Sequence, residues 1–139
     1  MAVILAGSTK SLGSEKYDGW LIKTDEKGKE EWSETFGGNE FDGIYSVQQT
    51  KDGGYILAGS TESFGSEKYD GWLIKTDEKG KKEWTKTIGG NEDDLFISVQ
   101  QTKDGGYILS GRTKSYDSND SDDWDGWLIK TDENGNVSD

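Results

Sequence analysis

The chain has 139 residues, with 28 Asp and Glu against 16 Lys and Arg, no His, no Cys and a formal net charge of −12. That charge argues against a nucleic-acid backbone as partner, since phosphates are held mainly by Lys and Arg, and the missing Cys and His remove disulfides, thiolate chemistry and the commonest general base and metal ligand. Disorder is not expected either, because 20 glycines raise an apolar content of 29% toward the ordinary range and six Trp, six Tyr and four Phe supply rings to bury.

The first residues, Met1 and Ala2, lead into Val3-Ile4-Leu5-Ala6-Gly7-Ser8, which aligns with Tyr55-Ile56-Leu57-Ala58-Gly59-Ser60, so the sequence opens inside a repeat. YDGWLIKTDEKGK runs from Tyr17 to Lys29 and again from Tyr69 to Lys81, and VQQTKDGGYIL runs from Val47 to Leu57 and again from Val99 to Leu109. Leu5, Leu57 and Leu109 are 52 residues apart, as are Trp20 and Trp72, and Trp32 and Trp84. A fixed period of this size marks stacked units that cannot bury their apolar surface singly. The repeats divide the chain at about 1–43, 44–95 and 96–139, of which only the second is complete.

In the second repeat, Ile44 to Thr50 reads as a first strand and Asp52-Gly53-Gly54 as a hairpin turn. Tyr55 to Thr61 is the second strand, and a polar loop from Glu62 to Asp70 leads to the third, Gly71 to Thr76. Asp77-Glu78-Lys79-Gly80 turns into a fourth, Lys82 to Ile88, closed by Gly89-Gly90-Asn91. Short β-branched and aromatic runs between Gly-rich or Asp-rich joints support each strand, and no segment has helical apolar periodicity. Apolar side chains fall on both faces of YILAGS and GWLIKT, so these sheets should be covered on both sides. Four-stranded sheets of that kind, recurring at a fixed interval, fit the blades of a propeller. The longest apolar run, Met1 to Ala6, is six residues, too short for a bilayer span or a secretory h-region, and no membrane insertion is expected.

The stretch DGWLIKTDEKGKEEWSETFGGNEFDGIYSVQQTKDGGYILAGST, Asp18 to Thr61, resembles the SBBP-type repeats of bacterial and archaeal β-propellers, and more loosely the Trp-Asp repeat propellers. It shares with them an apolar strand followed by Lys, an Asp-x-x-Gly turn, then Trp, a Gly-Gly, an acidic pair and an Asp-Gly hairpin. The resemblance implies an all-β fold of antiparallel four-stranded blades and says little about function; it leaves a secreted or cell-surface location open. Naming blade strands A (innermost) to D, the chain reads BCD, ABCD, ABC. An arc of two and a half to three blades would expose an apolar sheet face at each end, and soluble monomers rarely leave such patches uncovered. A second copy is the most economical cover. Two chains with three B–C pairs each would complete a six-position ring about a twofold axis. A longer parent protein would explain the ends equally well.

Trp20, Trp72 and Trp127 each follow a Gly at the start of strand C, and this suits blade packing better than sugar stacking. Trp32, Trp84, Tyr55 and Tyr107 are assigned to the same packing. The third repeat differs between strands B and C, where KSYDSNDSDDWDGW is three residues longer than its counterparts and holds Asp117, Asp120, Asp122, Asp123 and Asp125. Asp122, Asp123 and Asp125 are the calcium candidates, since Ca²⁺ takes six to eight oxygens. Against them, Ser121 stands first and Asp132 twelfth in the partial EF-hand-like pattern, and a solvated acidic loop is the plainer reading; no other cofactor is expected. Trp124 reads as an aromatic without a counterpart in the other repeats.

The B–C and D–A loops share one end of the sheets and together carry −11, while the opposite end carries −5. The acidic end would attract cations or a basic protein partner, or would merely keep the protein soluble. No Ser has a histidine to activate it, and no phosphate-binding glycine pattern is present. Glu40 and Asp42 could form a glycosidase pair, but GGNE recurs at Gly89 to Glu92, and a repeated residue usually serves the repeated fold. The sequence therefore reads as a non-catalytic, self-associating scaffold or binding module, a dimer in the simplest case. The alternative is a carbohydrate- or calcium-binding surface protein using the acidic loops.

Overall fold

The computed structural model describes residues 2–10, 15–116 and 123–138. These form ten strands: β1 (Val3–Thr9), β2 (Asp18–Thr24), β3 (Glu30–Phe36), β4 (Asp42–Gln49), β5 (Tyr55–Thr61), β6 (Asp70–Thr76), β7 (Lys82–Ile88), β8 (Asp94–Gln101), β9 (Tyr107–Thr113) and β10 (Asp125–Thr131). They make three antiparallel sheets with orders β1-β2-β3, β4-β5-β6-β7 and β10-β9-β8. The fold is all-β. Strand β4 starts at Asp42 rather than at Ile44, because Asp42 and Gly43 continue the ladder opposite Thr61 and Ser60.

Each strand is set by its ends. The Asp25, Asp77 and Asp132 turns close in the same way, each carboxylate accepting from the backbone N–H groups two and four residues on. Glycines at positive φ, Gly28, Gly80 and Gly135, complete these turns, and Gly53 and Gly105 do so in the β4–β5 and β8–β9 hairpins. In those hairpins Asp52 and Asp104 accept from Thr50 and Thr102 and from the N–H of Gly54 and Gly106. A side chain that bonds its own backbone two residues on favours a turn over a longer strand.

The middle sheet is packed on both faces. Leu21 and Phe36 of the first sheet meet Ile44, Tyr55, Leu57, Trp72 and Ile74 on one side. On the other, Ile56, Ala58 and Leu73 meet Phe96, Val99, Tyr107 and Leu109 of the third sheet. Every residue of β5 and β6 is buried. Two glycines permit the close fit: a Cβ on Gly19 would stand 2.7 Å from Ile44 Cδ1, and one on Gly71 would stand 2.6 Å from Phe96 Cε2. Side chains on β4 also reach the backbone of β8, since Ser46 Oγ and Gln48 Oε1 accept from the N–H groups of Val99 and Gln101.

The heptapeptide DGWLIKT forms β2, β6 and β10 alike, yet its surroundings differ in each. Leu21 and Leu73 are 0% exposed, whereas Leu128 is 70% exposed. Identical sequence in identical strands gives opposite burial because only the first two have a sheet beyond them. On the outer face of the first sheet Val3 and Leu5 are likewise exposed.

Candidate functional site

Six of the seven aromatic residues assigned to packing lie in or against the two clusters between the sheets, and Trp20 does not. Trp72 and Tyr55 belong to the first cluster and Tyr107 to the second, with Trp32, Trp84 and Trp127 against their edges. Trp32 meets Tyr55 edge-on at 5.9 Å, and Trp84 meets Tyr107 at 6.1 Å in the same way. Trp127 stacks on Phe96 at 4.8 Å. Trp72 Nε1 donates to Thr85 Oγ1, so its polar atom is satisfied despite burial. Trp20 lies on the outer face of the first sheet, beside Leu5 and Ile22.

Carboxylates act as ties where strands β4 and β8 begin. Asp42 accepts from Thr61 Oγ1 at 2.5 Å, Ser63 Oγ at 2.7 Å and the Gly38 N–H at 3.0 Å. Asp94 repeats the arrangement with Thr113, Ser115 and Gly90. Each tie holds a strand start, a neighbouring strand end and two loops together. Burial and the adjacent Asp42 charge push the Asp18 carboxyl up. Glu40, the other half of the glycosidase candidate, is exposed and paired with Lys16 at 3.2 Å, while Asp42 is committed to its three donors.

At the opposite end, Lys75 is 4% exposed and its ammonium meets Asp52 at 2.9 Å, Glu83 at 3.3 Å and the Thr76 carbonyl at 2.8 Å. Hydrogen bonds from Thr50 and the Gly54 N–H, together with Lys75, hold Asp52 down at about 2. Lys130 repeats the bridge to Asp104 at 3.0 Å. Lys75 and Lys130, one residue before the ends of β6 and β10, thus tie those strand ends to the β4–β5 and β8–β9 turns.

Of the calcium candidates, Asp122 lies outside the described residues, as do Asp117 and Asp120. Asp123 and Asp125 are exposed. Among the described residues no group of three or more carboxylate or other ligating side chains is gathered to hold a metal ion.

Trp124 does have counterparts. It stands immediately before β10, where Tyr17 precedes β2 and Tyr69 precedes β6, displaced from the 52-residue spacing by the three extra residues before it. The Arg112 guanidinium and the Lys114 ammonium lie 5.2 Å and 5.1 Å from the centre of its ring. These contacts belong to cation–π geometry.

Sequence reasoning missed a group of rings at the acidic end, between the first two sheets. Tyr17, Phe41, Tyr45 and Tyr69 line a recess of about 160 Å³ together with Ser8 and Ser60. Tyr17 and Phe41 are stacked at 6.1 Å. A β-bulge between Ile44 and Ser46 turns Tyr45 out of the ladder, leaving it 56% exposed with its hydroxyl 3.4 Å from Ser60 Oγ. Burial, reinforced by Glu62, Tyr45, Asp93 and Asp42, pushes the Tyr69 phenol up. The available signal was the places where near-identical repeats disagree: Phe41, Gly43 and Tyr45 become Asp93, Leu95 and Ile97. Compared with known proteins, the chain matches no family model and no curated protein.

Proposed function

We propose that the chain is a β-propeller repeat unit of the SBBP type that stacks on a second copy through its two outer sheet faces and works as a non-catalytic scaffold or binding module. The observation that carries this reading is the burial of one leucine in three identical heptapeptides: Leu21 and Leu73 are 0% exposed and Leu128 is 70% exposed. Covering a leucine side chain stabilises by roughly 1.5–3 kcal/mol, and a face holding Leu128 beside Ile108 offers several such contributions.

The repeat also supports a polarity for the contact. Val3, Leu5, Trp20 and Ile22 occupy the positions of Tyr55, Leu57, Trp72 and Ile74, whose face packs on the first sheet. Ile108 and Leu128 occupy those of Ile56 and Leu73, whose face packs on the third. The outer face of β9 and β10 in one copy therefore suits the outer face of β1 and β2 in the next. Such a head-to-tail contact closes a ring or continues as a filament, and a dimeric ring is the smallest closure.

Light scattering at micromolar concentration tests the reading. Twice the single-chain mass is expected, with reversion to one chain in both Leu128→Glu and Leu5→Glu. A wild-type protein that stays at the mass of one chain, folded and monodisperse, overturns it.

A further inference from the structure

The recess at the acidic end is built differently from its counterpart one repeat later. Its floor contains Gly43, whose missing side chain leaves room between Ser8 and Tyr45: a Cβ there would stand 2.9 Å from Ser8 Oγ and 3.6 Å from the Tyr45 hydroxyl. At the seam between the second and third sheets Leu95 takes that place, and Asp93 and Ile97 replace two of the rings. The strands are the same at both seams. Among the described residues, the ring-walled opening stands at the seam between the first and second sheets, where Phe41, Gly43 and Tyr45 replace what become Asp93, Leu95 and Ile97, so it follows from those residues and not from the repeated strands.

Its chemistry favours a small organic cation. Aromatic faces attract a positive charge through the ring quadrupole, and four rings converge here. No Lys or Arg is among the described residues lining the recess; the nearby Lys16 is paired with Glu40, and Asp42 in the lining and Glu62 nearby contribute negative potential in a protein of net charge −12. The protein already shows the preference in its own contacts, since the Lys16 ammonium lies 4.4 Å from the centre of the Phe41 ring. At about 160 Å³ the recess is smaller than the roughly 300–1,000 Å³ of pockets for drug-sized ligands, and it suits a head group rather than a whole metabolite.

We propose that the recess between Tyr17, Phe41, Tyr45 and Tyr69 binds a quaternary or methylated ammonium group, held by cation–π contact and by the surrounding negative potential. The site lies within one chain and does not depend on self-association.

Titration calorimetry with tetramethylammonium and with choline tests the proposal, using the neutral isostere 3,3-dimethylbutan-1-ol and methyl glucoside as comparisons. Both cations are expected to bind saturably, at least about tenfold tighter than either neutral compound. Gly43→Leu should abolish binding while the protein remains folded, because the next repeat carries Leu95 at that position, and Tyr45→Ala, at an exposed ring, should weaken binding about tenfold. Absence of saturable cation binding to the wild type overturns the proposal. So does equal binding of the alcohol, preference for the glucoside, or full binding retained in both folded variants.

Discussion

The ring of Phe96 occupies the space where a side chain on Gly71 would stand, with a Cβ there only 2.6 Å from Cε2. The second sheet can approach the third because one residue of β6 has no side chain. Gly126 holds the same place in β10 and has nothing within 4 Å. Gly71→Ala should therefore cost about 1–3 kcal/mol through overpacking, while Gly126→Ala stays within about 0.5 kcal/mol of wild type. Urea unfolding of the two variants checks this, and equal losses would refute the packing account.

Asp94 is fully buried and accepts from Thr113, Ser115 and the Gly90 N–H. Asp94→Ala leaves those donors without their acceptor and should cost about 2–4 kcal/mol, in the range for buried hydrogen bonds to a charged group. Asp123→Ala, at an exposed position, should change stability by less than about 0.5 kcal/mol. Thermal unfolding of both variants separates the structural carboxylate from the solvated one.

The acid limb of stability should carry the signature of Asp52, whose carboxyl is lowered from 3.8 to about 2. A carboxyl depressed in the folded state stabilises above its unfolded value, and the contribution is lost as pH falls through the folded value. The urea midpoint should therefore drop between about pH 4 and pH 2. Lys75→Met removes one of the groups that depress Asp52 and should flatten this portion of the curve. An unchanged slope would show that Lys75 has no part in it.

At the alkaline end, burial pushes the Tyr107 phenol up to about 12. An acid raised in the folded state holds its full contribution below the unfolded value near 10 and loses it as pH rises through the folded one. Stability should fall between about pH 10 and pH 12, with Tyr107 ionising late in an absorbance titration at alkaline pH. Tyr107→Phe should lose this step and keep the edge-on contact with Trp84. A wild-type phenol titrating entirely near 10 would contradict the burial.

The strands were legible because turn chemistry and apolar runs agree at every joint: Asp52-Gly53 and Asp77 through Gly80 turn where they were expected to, and β5 and β7 match their predicted bounds. Three features were not legible locally. Burial could not be read from DGWLIKT alone, since Leu21, Leu73 and Leu128 differ only in what lies beyond their sheet; it followed instead from the strand count, which leaves an apolar face open at each end. The bulge that turns Tyr45 outward depends on pairing across to β5 and leaves no mark in local propensity. The repetition of GGNE pointed Asp42 toward a role in the fold, but its donors could not be named because they lie 4 to 21 residues away in sequence.

The exposed Leu128 also bears on how such a chain can lengthen. Because DGWLIKT already fits a neighbour on each side in β6, insertion of a further 52-residue unit would convert an end into an interior without a single compensating substitution. Growth by duplication would then keep the stacking intact, while novelty accumulates at positions such as Gly43 and Tyr45, where successive repeats already differ.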